Sequence, residues 1–289
     1  MIRRIWNLIF SSFAIWGNAR ASLMSAAMTY FTMLSLAPLL VIAIAIAGQF
    51  YGDRLAKQEI IEQVTRFTTD DIAQTVAQLI ANTSRPESGL IAGVVSISIL
   101  VFGASGVFTQ LQDTFNEIWD VPDEKRQGML RQIKNRLAGI LMVFIVGVIL
   151  LTTLGLSTAL SALSAAVHEL PTFESGLEWA DTGVSFLLIP FVLALMFWLI
   201  PKTEVDWHDV WPAAILTALL LSLSKFLIGL YLQFSTTSEV YGAAGSLVVL
   251  LIWVYMGGLV LFYGAAFSRA WSENFGTRYA NREITHNSP

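Results

Sequence analysis

The chain of 289 residues contains no cysteine, which excludes disulfides, thiolate metal sites and cysteine nucleophiles. Histidine is also scarce: His168, His208 and His286 lie far apart, and none stands in a zinc-binding spacing such as H-E-x-x-H. The sequence has no G-x-x-x-x-G-K-[ST] loop, so it encodes no nucleotide-driven pump. Asp206 and Asp209 could bind a metal in principle, but no further carboxylate cluster or activated nucleophile accompanies them. We therefore expect no enzymatic activity and no cofactor.

Charged residues are few as well. They make up 13% of the chain against 55% hydrophobic residues, and the mean hydropathy is +0.64. A soluble chain of this length has no interior large enough to bury that much apolar surface. The net charge of −4 and the scattered basic residues give no electrostatic footprint for nucleic acid. The expected surroundings are membrane lipids.

Six apolar stretches are long enough to cross about 30 Å of hydrocarbon as helices. They cover residues 29–50, 89–109, 137–160, 183–200, 213–234 and 245–268. The predicted fold class is therefore all-α: a polytopic membrane protein in which residues 1–289 form a single membrane domain with six transmembrane helices.

The segments outside these stretches also have recognisable patterns. Residues 1–22 alternate apolar and polar positions at helical spacing, which predicts an interfacial helix. Residues 53–88 contain two amphipathic helical patterns and predict an outer helical cap between spans one and two. With the N-terminus inside, twelve Lys and Arg residues fall on the inner side and four on the outer side. Both termini, including a tail at 269–289, are therefore expected in the cytoplasm.

Lys225 lies close to the middle of the fifth predicted span, with Ser222 one turn before it. A lysine at that depth costs at least ~2.5 kcal/mol on insertion scales, so it should face a bundle interior, a wet cavity or a carboxylate. On the functional interpretation, Lys225 and Ser222 line a substrate cavity. The alternative is a structural lysine that bonds to backbone carbonyls.

Gln110, Asp113 and Asn116 follow the second predicted span at a three-residue step, which predicts that they share one helix face. On that interpretation they line the inner mouth of a cavity. The alternative is a helix end that is simply leaving the membrane.

Proline and glycine mark five positions as helix breaks or close packing sites. Pro38 should kink the first span, and Ser35 is placed to help satisfy the freed backbone. Small residues allow close helix packing. The four glycines expected to act in this way are Gly103 and Gly106 in the second span, and Gly242 and Gly245 in a short turn before the sixth.

Three stretches match a known pattern: ASLMSAAMTYFTMLSLAPLL from residue 21, GASGVFTQLQDTFNEIW from residue 103, and YGAAGSLVVLLIWVY from residue 241. Together they resemble the YihY/BrkB family of bacterial inner-membrane proteins. The resemblance implies six helices, a location in the cytoplasmic membrane, a link to virulence in some members and a suspected role in moving lipids or other solutes. It supplies no agreed active-site residues. Some members carry the label ribonuclease BN, which is widely regarded as mistaken.

Three functions follow from these observations. The first is a transporter or flippase-like exporter of a lipid or anionic solute, with a cavity lined by spans one, two, five and six and Lys225 as its positive charge. The second is a non-transporting envelope scaffold whose outer cap binds partners. The third is a membrane-bound ribonuclease. It is the least favoured of the three, because nothing in the sequence would hold RNA or activate water. Small-residue faces could support a homo-oligomer, although a monomeric six-helix bundle would use the same residues for its internal packing.

Overall fold

The structure is a computed structural model that describes residues 2–83, 90–122, 187–203, 205–234 and 245–276. In these ranges the chain forms helices and their connections, with no β-strand. The helices are α1 (Ile2–Asn18), α2 (Ala21–Tyr51), α3 (Asp53–Phe67), α4 (Asp70–Thr83), α5 (Leu90–Ile118), α6 (Leu187–Leu199), α7 (Trp207–Phe234) and α8 (Gly245–Asn274). The prediction of an all-helical chain is confirmed for this part of the molecule.

Three of the described helices are long and apolar enough to cross a membrane. The qualifying stretches are Ala21–Val41 of α2, Trp207–Tyr231 of α7 and Leu247–Asn274 of α8, and α6 is a shorter apolar helix. Residues 90–109 of the predicted second span lie within α5, which continues past them to Ile118. The predicted third span, 137–160, lies outside the described residues. The prediction of six transmembrane helices is therefore not confirmed.

Several helices are longer than the apolar stretches that predicted them. Helix α2 begins at Ala21 rather than near 29, α7 begins at Trp207 rather than near 213, and α8 continues to Asn274 rather than ending near 268. In each case the added residues are more polar or more aromatic than the apolar stretch, and they form helix where tertiary packing supports them.

The main core joins α5, α6 and α8 through three fully buried phenylalanines. The ring of Phe115 in α5 lies 5.9 Å from Phe197 in α6 and 6.1 Å from Phe262 in α8, measured between centroids. Helix α7 packs closely beside them, because a Cβ on Gly264 of α8 would collide with the Thr217 side chain. This cluster lies at the end of the bundle that also contains Arg269, which we call the Arg269 end.

Helices α3 and α4 form a cap at the opposite end, which we call the cap end. On α4, Val76 and Ile80 pack against Leu40 and Ile44 of α2. Ile72 is 1% exposed and packs with Val249, Leu250 and Val254 of α8. The segment predicted as an outer helical cap is thus two helices held by apolar contacts to both α2 and α8.

Helix α1 lies against α8. The Trp16 indole Nε1 donates a hydrogen bond to the Leu259 carbonyl at 3.2 Å, and the ring of Phe13 lies 4.8 Å from that of Tyr263. Trp6 and Phe10 are exposed on the side of α1 that faces away from the bundle. This arrangement has the two faces expected of an amphipathic helix, one protein-facing and one open.

Candidate substrate groove

Helices α2 and α5 cross closely because two glycines of α5 carry no side chain. A Cβ added to Gly103 would lie 2.6 Å from the Ser35 Cβ and 3.1 Å from the Phe31 carbonyl oxygen. A Cβ added to Gly106 would collide with the ring of Phe31. Neither position leaves room for a side chain, so the two helices pack closely there.

Beside this crossing the two helices leave an open groove of about 620 Å³. Its lining is Phe31 of α2 and one face of α5, namely Ser98, Val101, Phe102, Ser105, Gly106, Thr109 and Gln110. Phe31 lies in the middle of the stretch of α2 that is long and apolar enough to cross a membrane. The volume of the groove falls in the range of ligand-binding clefts.

Two of the polar side chains that line the groove make hydrogen bonds that leave further hydrogen-bonding capacity. Thr109 Oγ1 donates to the Ser105 carbonyl at 2.8 Å, within its own helix. Such a hydroxyl still has lone pairs that can accept a hydrogen bond. Gln110 Nε2 donates to the Met24 sulfur at 2.7 Å, a weak acceptor. The groove thus joins a row of neutral polar groups to an apolar wall of Phe31, Val101 and Phe102.

Lys225 is not among the groove residues. Its Nζ lies 3.5 Å from the backbone carbonyl oxygen of Thr65, in the last turn of α3. The last carbonyls of a helix have no partner within it, and a positive charge there is favoured by the helix dipole. Lys225 therefore lies where it can cap the C-terminus of α3, a placement that fits the structural alternative of a lysine at backbone carbonyls.

The length of α7 explains how Lys225 reaches the cap. Because α7 begins at Trp207, Lys225 lies about 27 Å along it at 1.5 Å per residue, past the midpoint and toward the cap end. Gly229, one turn further, lies beside Thr69 between α3 and α4, where an added Cβ would be 3.6 Å from the Thr69 methyl group. Ser222 is exposed, and its hydroxyl donates to the Ala218 carbonyl at 3.0 Å. Neither Lys225 nor Ser222 lines the groove.

The structure separates the three polar residues that were predicted to share a face. Gln110 is half-buried at the groove, Asp113 is exposed, and Asn116 is fully buried. A three-residue step turns a helix by about −60°, so two steps place Gln110 and Asn116 about 120° apart. Asn116 Oδ1 accepts a hydrogen bond from the Lys202 backbone N–H at 2.9 Å. Asn116 thus ties the end of α5 to the connection after α6.

The remaining predicted positions have mixed outcomes. Pro38 lies inside the continuous helix α2 and leaves the Leu34 carbonyl without its usual backbone donor. The Ser35 hydroxyl does not replace that donor, because it donates to the carbonyls of Phe31 and Thr32. Gly245 is the buried first residue of α8. Gly242 lies outside the described residues.

A polar cluster that the sequence did not predict closes the Arg269 end. Arg269 donates from Nη1 to the Ile118 carbonyl at 2.7 Å and from Nε to the Glu273 carboxylate at 2.8 Å. Its Nη2 also lies 3.6 Å from a carboxylate oxygen of Asp120. Arg269 therefore caps the C-terminus of α5, and Lys225 has the corresponding position at the end of α3. The signal available in the sequence was an arginine at the end of an apolar stretch.

The aspartate pair considered as a metal site is divided between two environments. Asp206 is exposed, whereas Asp209 is 5% exposed and accepts a hydrogen bond from the Ser272 hydroxyl at 2.7 Å. The described residues contain no group of three potential metal ligands. Asp209 links the first turn of α7 to the last turns of α8.

Comparison with known proteins identifies the family. The model of the family described as Virulence factor BrkB matches residues 13–287. The chain belongs to the BrkB family. Family members with curated names include a UPF0761 membrane protein of Verminephrobacter eiseniae, which is 28% identical over 250 residues, covering 84% of this chain and 57% of the relative. A relative in Rhodospirillum centenum, also named a UPF0761 membrane protein, is 30% identical and covers 86% of this chain and 54% of its own length.

The BrkB-family relatives differ in length. A UPF0761 membrane protein of Pseudoalteromonas translucida is 26% identical, with 82% of this chain and 77% of the relative covered. This chain spans a little over half of the length of the first relatives that it matches. No solved structure matches it significantly. The names of the relatives and the apolar helices together make this an integral membrane protein of the BrkB family.

Proposed function

We propose that this protein is a transporter, flippase-like in its action, that moves a lipid or another amphiphilic solute across the membrane. The observation that carries the proposal is the groove between α2 and α5, where a row of polar side chains lies beside Phe31, in the middle of a stretch of α2 that is long and apolar enough to cross a membrane. A polar group in hydrocarbon is costly unless it is hydrogen-bonded, so helices rarely expose several of them in one row without a use. A lipid that crosses the bilayer needs such a row for its head group.

The contact between Gly106 and Phe31 supports the same proposal. The Phe31 ring lies directly against Gly106 and borders the groove, so a rotation of this one side chain changes the room available there. The backbone of the crossing can stay in place, because Gly103 is packed against Ser35 and not against the ring.

The test is lipid transfer by purified protein in liposomes, measured with a fluorescent lipid whose outer-leaflet population is quenched. We expect the protein to accelerate transfer, and Ser105→Phe, which fills the groove, to abolish most of the acceleration. Leu223→Phe adds bulk to an exposed position of α7 and is the matched control. Equal acceleration by all three proteins, or none by the unaltered protein, would contradict the proposal.

A scaffold is the second candidate function, and the contact of Lys225 with Thr65 favours it. A lysine that holds the cap in position fits a protein whose cap binds envelope partners. The two candidates differ in the result for Lys225→Met. A transporter that uses the groove keeps lipid transfer in this variant, whereas a scaffold loses binding of its partners.

The orientation and location follow from the sequence pattern and belong to the same proposal. We propose the bacterial cytoplasmic membrane, with both termini in the cytoplasm, because basic residues concentrate on one side of the predicted spans. The Arg269 end is then the cytoplasmic end, and the cap faces outward. A role without catalysis or nucleic acid, and assembly into a homo-oligomer, are further parts of the proposal.

A further inference from the structure

The chemistry of the groove lining restricts the part of the ligand that can lie there. Four lining side chains carry polar atoms: Ser98, Ser105, Thr109 and Gln110. The other lining residues are apolar or glycine, and none of the eight is ionisable. The lining therefore offers hydrogen bonds without a compensating charge.

A phosphate or carboxylate would lose part of its hydration in this position without gaining an opposite charge. Burial of an unpaired ion is far more costly than burial of a hydroxyl or an ester carbonyl that finds a hydrogen bond. Lys225, the cation that the sequence suggested for an anionic group, instead lies at the Thr65 carbonyl of α3. The observed charge distribution thus favours an uncharged head group.

The apolar side of the groove is exposed at the surface of the helix bundle. Phe102 is 62% exposed and Val101 is 51% exposed, and both border the groove beside the polar row. A hydrocarbon chain can lie along these side chains while the head group contacts the hydroxyls. This combination is characteristic of an amphiphile that enters from the bilayer.

We infer that the groove between α2 and α5 binds an uncharged lipid, with hydroxyl or ester groups at the Ser98, Ser105 and Thr109 row and an acyl chain against Phe31, Val101 and Phe102. The inference rests on the proposed function and names the class of its substrate. Diacylglycerol is the probe, and phosphatidic acid with the same acyl chains is its charged counterpart, because the two differ only by the phosphate.

The experiment measures retention of each lipid by the full chain in nanodiscs, using native mass spectrometry. We expect diacylglycerol to be retained in preference to phosphatidic acid, without dependence on salt concentration. The double variant Ser105→Ala/Thr109→Val removes two hydroxyls and should weaken diacylglycerol retention by roughly 2- to 10-fold for each hydrogen bond lost. Ser11→Ala, which removes a hydroxyl on α1, should leave retention unchanged.

A second variant tests the charge argument in the opposite direction. Thr109→Lys adds a cation at an exposed position of the lining and should shift the preference toward phosphatidic acid. The unaltered protein could instead retain phosphatidic acid preferentially and lose that preference in Ser105→Phe. This result would overturn the inference that the lipid is uncharged, while the groove would remain the transport site. If the protein retains both lipids and Ser105→Phe changes the retention of neither, the inference and the proposed function are overturned together.

Discussion

At the residue scale, the end of α5 shows how single side chains fix a helix boundary. Asp120 has a left-handed backbone with φ 56°, and the Val121 N–H bonds to the Asn116 carbonyl at 2.9 Å while the Asp120 N–H bonds to the Glu117 carbonyl at 3.1 Å. This is the Schellman arrangement, in which glycine is the usual residue at the left-handed position. Aspartate is tolerated there better than most residues, and here its carboxylate lies near Arg269.

The left-handed position leads to a prediction for Asp120. Asp120→Gly relieves backbone strain while it loses the exposed ion pair, so its free energy of unfolding should stay close to that of the unaltered protein. Asp120→Ala loses the pair without relieving the strain and should be about 1 kcal/mol less stable than the glycine variant. Unfolding in detergent measures this difference. An alanine variant as stable as the glycine variant would show that the left-handed backbone at residue 120 costs no stability.

Asn116 carries a second prediction at this scale. Asn116→Leu removes the acceptor of the Lys202 N–H inside the core and should lower the free energy of unfolding by about 1–3 kcal/mol. Gln74→Leu, at an exposed position of α4, is the control and should have a clearly smaller effect. If the two variants are equally stable, the hydrogen bond between the Lys202 N–H and Asn116 does not contribute measurably to the free energy of unfolding.

At the element scale, apolar periodicity predicted which segments are helices but not where they end. The apolar stretch predicted the fifth span from residue 213, after the polar residues Asp206, His208 and Asp209. An acidic residue in the first turn is nevertheless a helix-start signal, and Asp209 supplies it. The contact between Lys225 and Thr65 could not be predicted, because it joins residues far apart in sequence through the packing of the cap.

The crossing of α2 and α5 should depend on Gly103. In Gly103→Ala the added methyl group meets Ser35 and the Phe31 carbonyl, so the helices must separate, and the free energy of unfolding should fall by about 1–3 kcal/mol. Gly257→Ala is the control, because no atom lies within 4 Å of the Cβ position there. A Gly103→Ala variant at least as stable as Gly257→Ala would show that the close crossing is not required.

The cap provides the other element-scale prediction. Lys225→Met removes the charge at the Thr65 carbonyl, so backbone amides of α3 and α4 should exchange hydrogen faster while those of α8 change little. Hydrogen exchange with mass spectrometry measures both regions in one experiment. Leu223→Met on the exposed side of α7 is the control, and unchanged exchange in the cap of Lys225→Met would mean that apolar contacts alone hold it.

At the scale of the whole molecule, two polar anchors hold opposite ends of the bundle and leave the groove between them. Lys225 ties α7 to α3 at the cap end, and Arg269 ties α8 to α5 at the Arg269 end. The class of protein and the glycines of the crossing could be predicted from composition and residue type. The groove could not be predicted, because Ser98, Ser105 and Thr109 line it together with Phe31, which belongs to another helix.

The most direct test of the groove uses the absence of native cysteine. Single cysteines at Ser98, Ser105 and Thr109 in liposomes should react with a membrane-impermeant maleimide, and added diacylglycerol should slow the reaction. Leu223→Cys, at an exposed position of α7 outside the groove, should stay unlabelled. Labelling of Leu223→Cys at the same rate as the groove positions, or no labelling of the groove positions, would contradict a polar path between α2 and α5.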